Sequence, residues 1–404
     1  MVMLLSLAGC DDDPDLGPSS SPSDDPSHYT VPDKAYTPVL SKPVWVVPGD
    51  NLPAGVVPAA ANNNVEIIFF NGRLFMAWRT NKTHFASADV KMYVVSSDDL
   101  GKTWRFEHEI AIGTDVREPR FVGIKGRLLL YYVKLGKIPT AFTPLGVYRI
   151  EYLGPGSWSP PVQTADANEV LWRLKKRNGL VWMTSYRGLD YGPSAGELEV
   201  LFQRSSDGLT FEPLGGDGVV YKGGVSEVAF EFDETGALWA VTRNEDGDAS
   251  GFGSHLCTAK AGDLGNWDCP KKSDPYRYDS PWMIRHGRDL YLVARRDPNG
   301  PFDQGDDALP FEQRKAKYLS AYSTSTKRTA LYKIDRDNKK VVHLLDLPSA
   351  GDNAFPSVRR LDAHRFLIAN YTSPLEMTEA SWIDGQIAQQ GTQLYFIMLT
   401  FEPQ

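Results

Sequence analysis

From residue 65 onward one unit returns six times: an apolar strand, a short turn usually carrying Gly, and a second apolar strand. The turns are Asn71-Gly72, Lys125-Gly126, Asn178-Gly179, Thr235-Gly236, His286-Gly287 and, with His364 in place of Gly, Asp362-Ala363-His364. The second strands follow at 74–78, 128–132, 180–185, 238–242, 290–294 and 366–370, too short and too rich in β-branched and aromatic residues for helices. A lone hairpin cannot bury its apolar face, so repeated units must stack on one another. The pattern predicts an all-β chain, a six-bladed β-propeller over 39–404. Outer strands are expected at 92–95 and 199–204, and the run 393–400 is expected to pair near 44–47 and close the ring.

This topology fixes which residues meet. First strands start, and second strands end, on one face near the axis. Seven residues past the turn Gly or its equivalent stand Arg79, Val133, Tyr186, Arg243 and Tyr371, and one extra residue brings Arg295 to the same place. Acids occupy the matching starts of first strands: Glu118 in Arg117-Glu118-Pro119-Arg120, Glu227, Asp279 and Asp352. Several guanidiniums in one mouth call for an anion or carboxylates to compensate them. A mouth of Arg, acid and aromatic residues suits a glycan or another small anionic carbohydrate. The segment 297–310, rich in Asp, Gly and Pro, is expected as a long loop over this mouth.

Composition narrows the alternatives. Of the net charge of −8, residues 1–45 hold seven Asp against only Lys34 and Lys42, so the globular part is nearly balanced. That leaves no basic surface for nucleic acid, and no apolar run is long enough to span a bilayer. No Cys or His cluster has metal-ligand spacing, and neither a metal nor a cofactor is expected. At the N-terminus, Leu5-Ser6-Leu7-Ala8-Gly9-Cys10 resembles a bacterial lipobox with Cys10 as the lipidated residue. The chain then reads as a lipid-anchored cell-envelope monomer: signal segment 1–10, disordered tether 11–38, propeller 39–404. Cys257 and Cys269 flank a hairpin tip and are expected to pair in an oxidising compartment, with two buried free thiols as the alternative.

The segment Ser97-Asp98-Asp99-Leu100-Gly101-Lys102-Thr103-Trp104 fits S-x-D-x-G-x-T-W at every fixed position, and a shortened copy runs from Ser205 through Asp207 and Gly208 to Phe211. In such a turn the Asp accepts backbone N–H bonds, the Gly supplies a positive φ and the aromatic ring packs beneath. Asp99 and Asp207 are thus turn-holders, while Trp104, Phe211 and Trp267 are hairpin packing. The motif is an Asp box, or BNR repeat, and on it the chain resembles the sialidase-like β-propellers over roughly 60–400.

The resemblance implies roles for individual residues. Glu227, in Ser226-Glu227-Val228, matches the Glu that assists the nucleophile, and Arg243 and Arg295 match arginines of the carboxylate-binding triad. Asp89 resembles the acid/base Asp, with Arg79 and His84 nearby. Two positions depart from the pattern. Asn64 stands where the family has its first triad Arg, leaving Arg79 or Arg120 to substitute, and Phe355 stands where the family has its nucleophilic Tyr. A phenyl ring forms no covalent intermediate, so Tyr371 or Tyr186 would have to serve. The expected function is glycoside hydrolysis on an extracellular glycan, with Asp89 and Glu227 as the catalytic pair. Arg79, His84, Glu118, Arg120, Arg243, Asp279, Arg295 and Tyr371 would bind substrate. The alternatives are a non-catalytic carbohydrate-binding surface protein and an assembly scaffold.

Overall fold

Three of the six hairpin turns place both central residues at positive φ: Asn71-Gly72, Lys125-Gly126 and Asn178-Gly179. This turn geometry matches the right-handed twist of the strands it joins. The computed structural model describes residues 22–188, 197–306 and 308–404, so Cys10 and the signal segment lie outside the described residues.

Six antiparallel sheets form the six blades. Their first and second strands are Ala61–Phe70 with Arg73–Asn81, Val116–Ile124 with Arg127–Leu135, Glu169–Arg177 with Leu180–Arg187, Val225–Phe232 with Leu238–Asn244, Asp279–His286 with Asp289–Arg296, and Asn353–Arg360 with Arg365–Thr372. Every expected second strand falls inside one of these. The last strand, Gln393–Pro403, joins blade 6 and pairs with Val44–Val47, which closes the ring as expected. It also pairs with Tyr36–Leu40, a second closing strand the sequence pattern did not indicate.

The apolar core is divided among the blade interfaces. Blades 6 and 1 share Val65, Met76, Trp78, Leu367 and Phe396, blades 1 and 2 share Phe75, Val94, Phe121 and Leu130, and comparable clusters fill the other gaps. Each fully buried Leu, Ile or Phe contributes about 1.5–3 kcal/mol by leaving water, so the ring is held as strongly between sheets as within them. Blade 4 is the thinnest, with three strands among the described residues. There the expected Cys257–Cys269 disulfide is present, and Thr258 and Asp268 exchange backbone hydrogen bonds across the same hairpin. The covalent link pins the segment that stands where other blades have a fourth strand.

One expectation is corrected. Residues 22–38, read as tether, are docked on the turn face. Asp24 pairs with Arg359 at 2.7 Å, Asp25 accepts from the Asn178 N–H, and the Arg360 guanidinium lies 5.0 Å over the Tyr29 ring. The polar composition hid this because the segment docks through charges meeting buried arginines, not through an apolar stripe. The expected blade 5 loop over 297–310 holds no helix or strand among its described residues and leads into α1 (Phe311–Thr324), which the sequence pattern did not indicate. With α2 (Trp382–Ile387), whose Ser381 and Asp384 form a capping box, it roofs the mouth through Phe252, Phe302, Tyr318, Tyr322 and Trp382.

Candidate active site

Every first strand is kinked at its mouth end. The register with the second strand slips between Asn63 and Glu66, Arg117 and Arg120, Leu171 and Arg173, Val225 and Val228, Asp279 and Trp282, and Ala354 and Ser357. These are bulges, which bend a strand and re-aim a side chain. Asn64, Glu118, Ser280 and Phe355 sit in them at positive φ, an unusual conformation for such residues. Six bulges at one level turn six strand starts toward the axis.

Glu118 is one of the carboxyl groups buried at this level. Its oxygens lie 3.4 Å from Asn64 Nδ2 and 3.4 Å from Arg120 Nη2, and only 8% of the residue is exposed. Burial pushes its carboxyl up to about 7; Arg120 pulls the other way, and the nearby charge of Glu227 adds to the rise. Glu227 accepts from Arg243 Nη1 at 2.5 Å and, through its other oxygen, from the Ser280 backbone N–H at 2.7 Å. Arg243 also pairs with Glu245 at 2.6 Å and lies 3.3 Å from Asp279, which in turn holds Arg277 at 2.8 Å.

On the opposite wall, Arg295 donates to the Asn353 carbonyl at 2.7 Å, to the Tyr322 hydroxyl at 2.7 Å and, more weakly, to Tyr371 at 3.5 Å. Asp352 accepts from the Tyr371 hydroxyl at 2.9 Å and from Trp382 Nε1 at 3.0 Å, and its second oxygen lies 2.6 Å from His84 Nδ1. Tyr322 is surrounded by cations, with Arg277 and Lys327 each 4.4 Å from its ring. Burial lowers the Lys327 ammonium to about 8, despite Asp297 and Asp279 favouring its charge.

The mouth thus gathers Glu118, Glu227, Arg243, Asp279, Arg295, Tyr371 and His84. Arg79 is fully buried behind it, bonded to Asp115, Asn63 and the Phe85 carbonyl. Arg120 lies deeper in the channel, 3.6 Å from Glu66, with its guanidinium 4.5 Å over the Phe355 ring. Phe355 itself packs edge-on against Trp172. Asp89 is not brought to this cluster. Its side chain is 73% exposed, and its charged partner is Lys82 at 3.9 Å. It sits in the connection between Arg73–Asn81 and Lys91–Ser97, the same segment that brings His84 to the mouth.

Sequence reasoning missed Arg117, Arg277, Tyr322, Lys327 and Trp382. Arg117 and Arg277 stand within two residues of predicted acids and were within reach; Tyr322 and Trp382 come from inserted helices that no blade register locates.

No protein-family model matches the chain, and no curated protein matches it in sequence. Solved structures do. A Dyadobacter fermentans protein described as of unknown function aligns over 90% of this chain and 99% of its own, with TM-score 0.59 and 14% identity. Trypanosoma rangeli sialidase in complex with sialic acid aligns over 91% of this chain at TM-score 0.57 and 14% identity; the match spans 59% of the sialidase chain. The phage phi92 endosialidase aligns over 86% of this chain and 69% of its own, at TM-score 0.55 and 10% identity. At such identities the likeness is one of fold, and the chain has the six-bladed β-propeller fold of the sialidases.

Proposed function

We propose that the axial mouth binds a glycan and hydrolyses a glycosidic bond, with Glu118 as the proton donor to the leaving oxygen. The observation that carries this is a pair of carboxyl groups on first strands of two blades in unlike surroundings. Glu118 keeps its proton up to about pH 7, while both oxygens of Glu227 are occupied as hydrogen-bond acceptors. Two acids whose environments differ in this way divide the labour of acid and carboxylate. Of the expected pair Asp89 and Glu227, Glu118 takes the acid's place and Glu227 keeps its own: its charge helps hold the proton on Glu118 and stabilises positive charge building at the anomeric carbon. Arg243, Arg277, Arg295 and Lys327 bias the mouth toward an anionic sugar, the kind of ligand with which one of the structural neighbours was solved.

A second reading, a carbohydrate-binding protein without turnover, is favoured by one observation. Phe355 stands where the sialidase resemblance places a Tyr, and it is buried against Trp172 and Arg120. Screening a glycan array with the intact chain, followed by mass spectrometry of the bound glycans, separates the two. Loss of a sugar from a bound glycan supports hydrolysis, and binding that leaves every glycan intact removes it. In the same reading the protein is an exported monomer, without cofactor, anchored by lipid on Cys10. Incorporation of labelled fatty acid into the wild type but not into Cys10→Ala is the expected outcome.

A further inference from the structure

The proposed hydrolysis leaves one role unfilled. With both Glu227 oxygens engaged, no group named so far accepts a proton from the attacking water. His84 is built for that task. Its Nδ1 faces the Asp352 carboxylate at 2.6 Å, and Asp352 is fully buried and fixed by Tyr371 and Trp382. A carboxylate in that position takes the Nδ1 proton as a hydrogen bond, so the lone pair rests on Nε2. No hydrogen-bond partner of Nε2 stands among the described residues, and the side chain is 12% exposed.

The ring is also held from outside. The His84 backbone N–H donates to the Gln386 carbonyl beside α2, and Arg117 donates to the His84 carbonyl. Neighbouring residues of one bulge join the two functional groups: the Asn63 amide Nδ2 lies 3.3 Å from the same His84 Nδ1, a longer approach than the 2.6 Å of Asp352, and Asn64 Nδ2 lies 3.4 Å from Glu118.

We propose that His84 is the general base of this mouth, oriented by Asp352, working opposite Glu118. The inference rests on the hydrolytic reading above. In the step, water loses a proton to Nε2, its oxygen bonds to the anomeric carbon, and the glycosidic C–O bond breaks as Glu118 gives its proton to the leaving oxygen. No oxidant or other reactant is needed. The groups facing His84 are Asp352, Arg117 and Arg79, with Tyr371 alongside. Burial is the largest influence and lowers its imidazole below the ordinary value of 6.5; the two arginines act in the same direction, against Asp352. The base is therefore neutral at pH 7; on the acid side activity should fall as pH drops below the ordinary histidine range, and on the alkaline side as Glu118 loses its proton through about 7.

Nitrogen-15 NMR of the intact chain reads the tautomer without any substrate. A neutral His84 at pH 7 with its proton on Nδ1 is expected. A charged ring, or a proton on Nε2, overturns the proposal. On a glycan found by the array screen, His84→Gln should lose about 10²–10⁴-fold in kcat while binding within about twofold of wild type, and Asp352→Asn should change the tautomer as well as the rate. Cleavage that persists in His84→Gln overturns this inference alone. A wild-type chain that cleaves no glycan overturns the parent reading and the base with it.

Discussion

The proton that equips Glu118 as an acid also makes it a burden to the fold. Its carboxyl binds a proton more tightly when folded than the ordinary value of 4.5 would allow, by burial first and by Glu227 second. Stability from this group is therefore fully present below about pH 4.5 and is lost as pH rises through about 7, a change on the order of 3 kcal/mol. Glu118→Gln should raise Tm at pH 8, change it little at pH 5, and lower turnover about 10²–10⁴-fold. Calorimetry at both pH values, paired with the rate, checks this. A variant destabilised at pH 8 would contradict it. Arg243 behaves oppositely. Removing it takes the guanidinium from Glu227 and Glu245, while Asp279 keeps Arg277, so Arg243→Ala should cost about 3–5 kcal/mol in urea unfolding. Arg243→Lys, which keeps the charge but not the three-way geometry, is the better probe of substrate anchoring.

Among the elements, blade 4 tests how much a covalent link can replace a strand. Cys257→Ser with Cys269→Ser should lower stability by about 2–4 kcal/mol, measured by denaturant unfolding, and reductant should mimic the change in wild type. The hairpins were legible in the sequence because a strand–turn–strand unit carries its own signal in two strong regularities, apolar alternation and turn residues such as Asn71-Gly72. The bulges were half-legible. Pro cannot donate to a ladder and within sheets is confined to edge strands, first positions and bulges, and Glu118-Pro119, Ser280-Pro281 and Phe355-Pro356 fall at three of them. The bulges at Asn64, Trp172 and Glu227 carry no such mark. The roof was not legible at all. Helix α1 buries only Lys315, Tyr318 and Tyr322, too few apolar residues to stand out from a polar insertion. Asp89 illustrates a related point: motif spacing places a residue in a loop but does not tell a side chain that packs, as His84 does on Asp352, from one that stays exposed beside Lys82.

At the scale of the whole molecule, the ring is closed twice by its N-terminal part. Tyr36–Leu40 and Val44–Val47 both pair with Gln393–Pro403, and Asp24 and Asp25 reach across to Arg359 and Asn178. A chain beginning at residue 22 should unfold at the wild-type temperature, whereas one beginning at residue 41 should unfold on the order of 5 °C lower, since it loses a closing strand and two buried charge contacts. Equal Tm values for the two would show that the second closure adds nothing. The path of residues 22–40 has a directional consequence. It crosses the face of the hairpin turns, where Pro22 and Ser23 lie beside Asn71, Lys125 and Gly126, and the mouth opens on the face opposite. If Cys10 carries a lipid, the molecule is held by its back. Its opening then looks away from the membrane that holds it, and a sugar rooted in that same membrane would have to be long enough to bend around the rim of the disc.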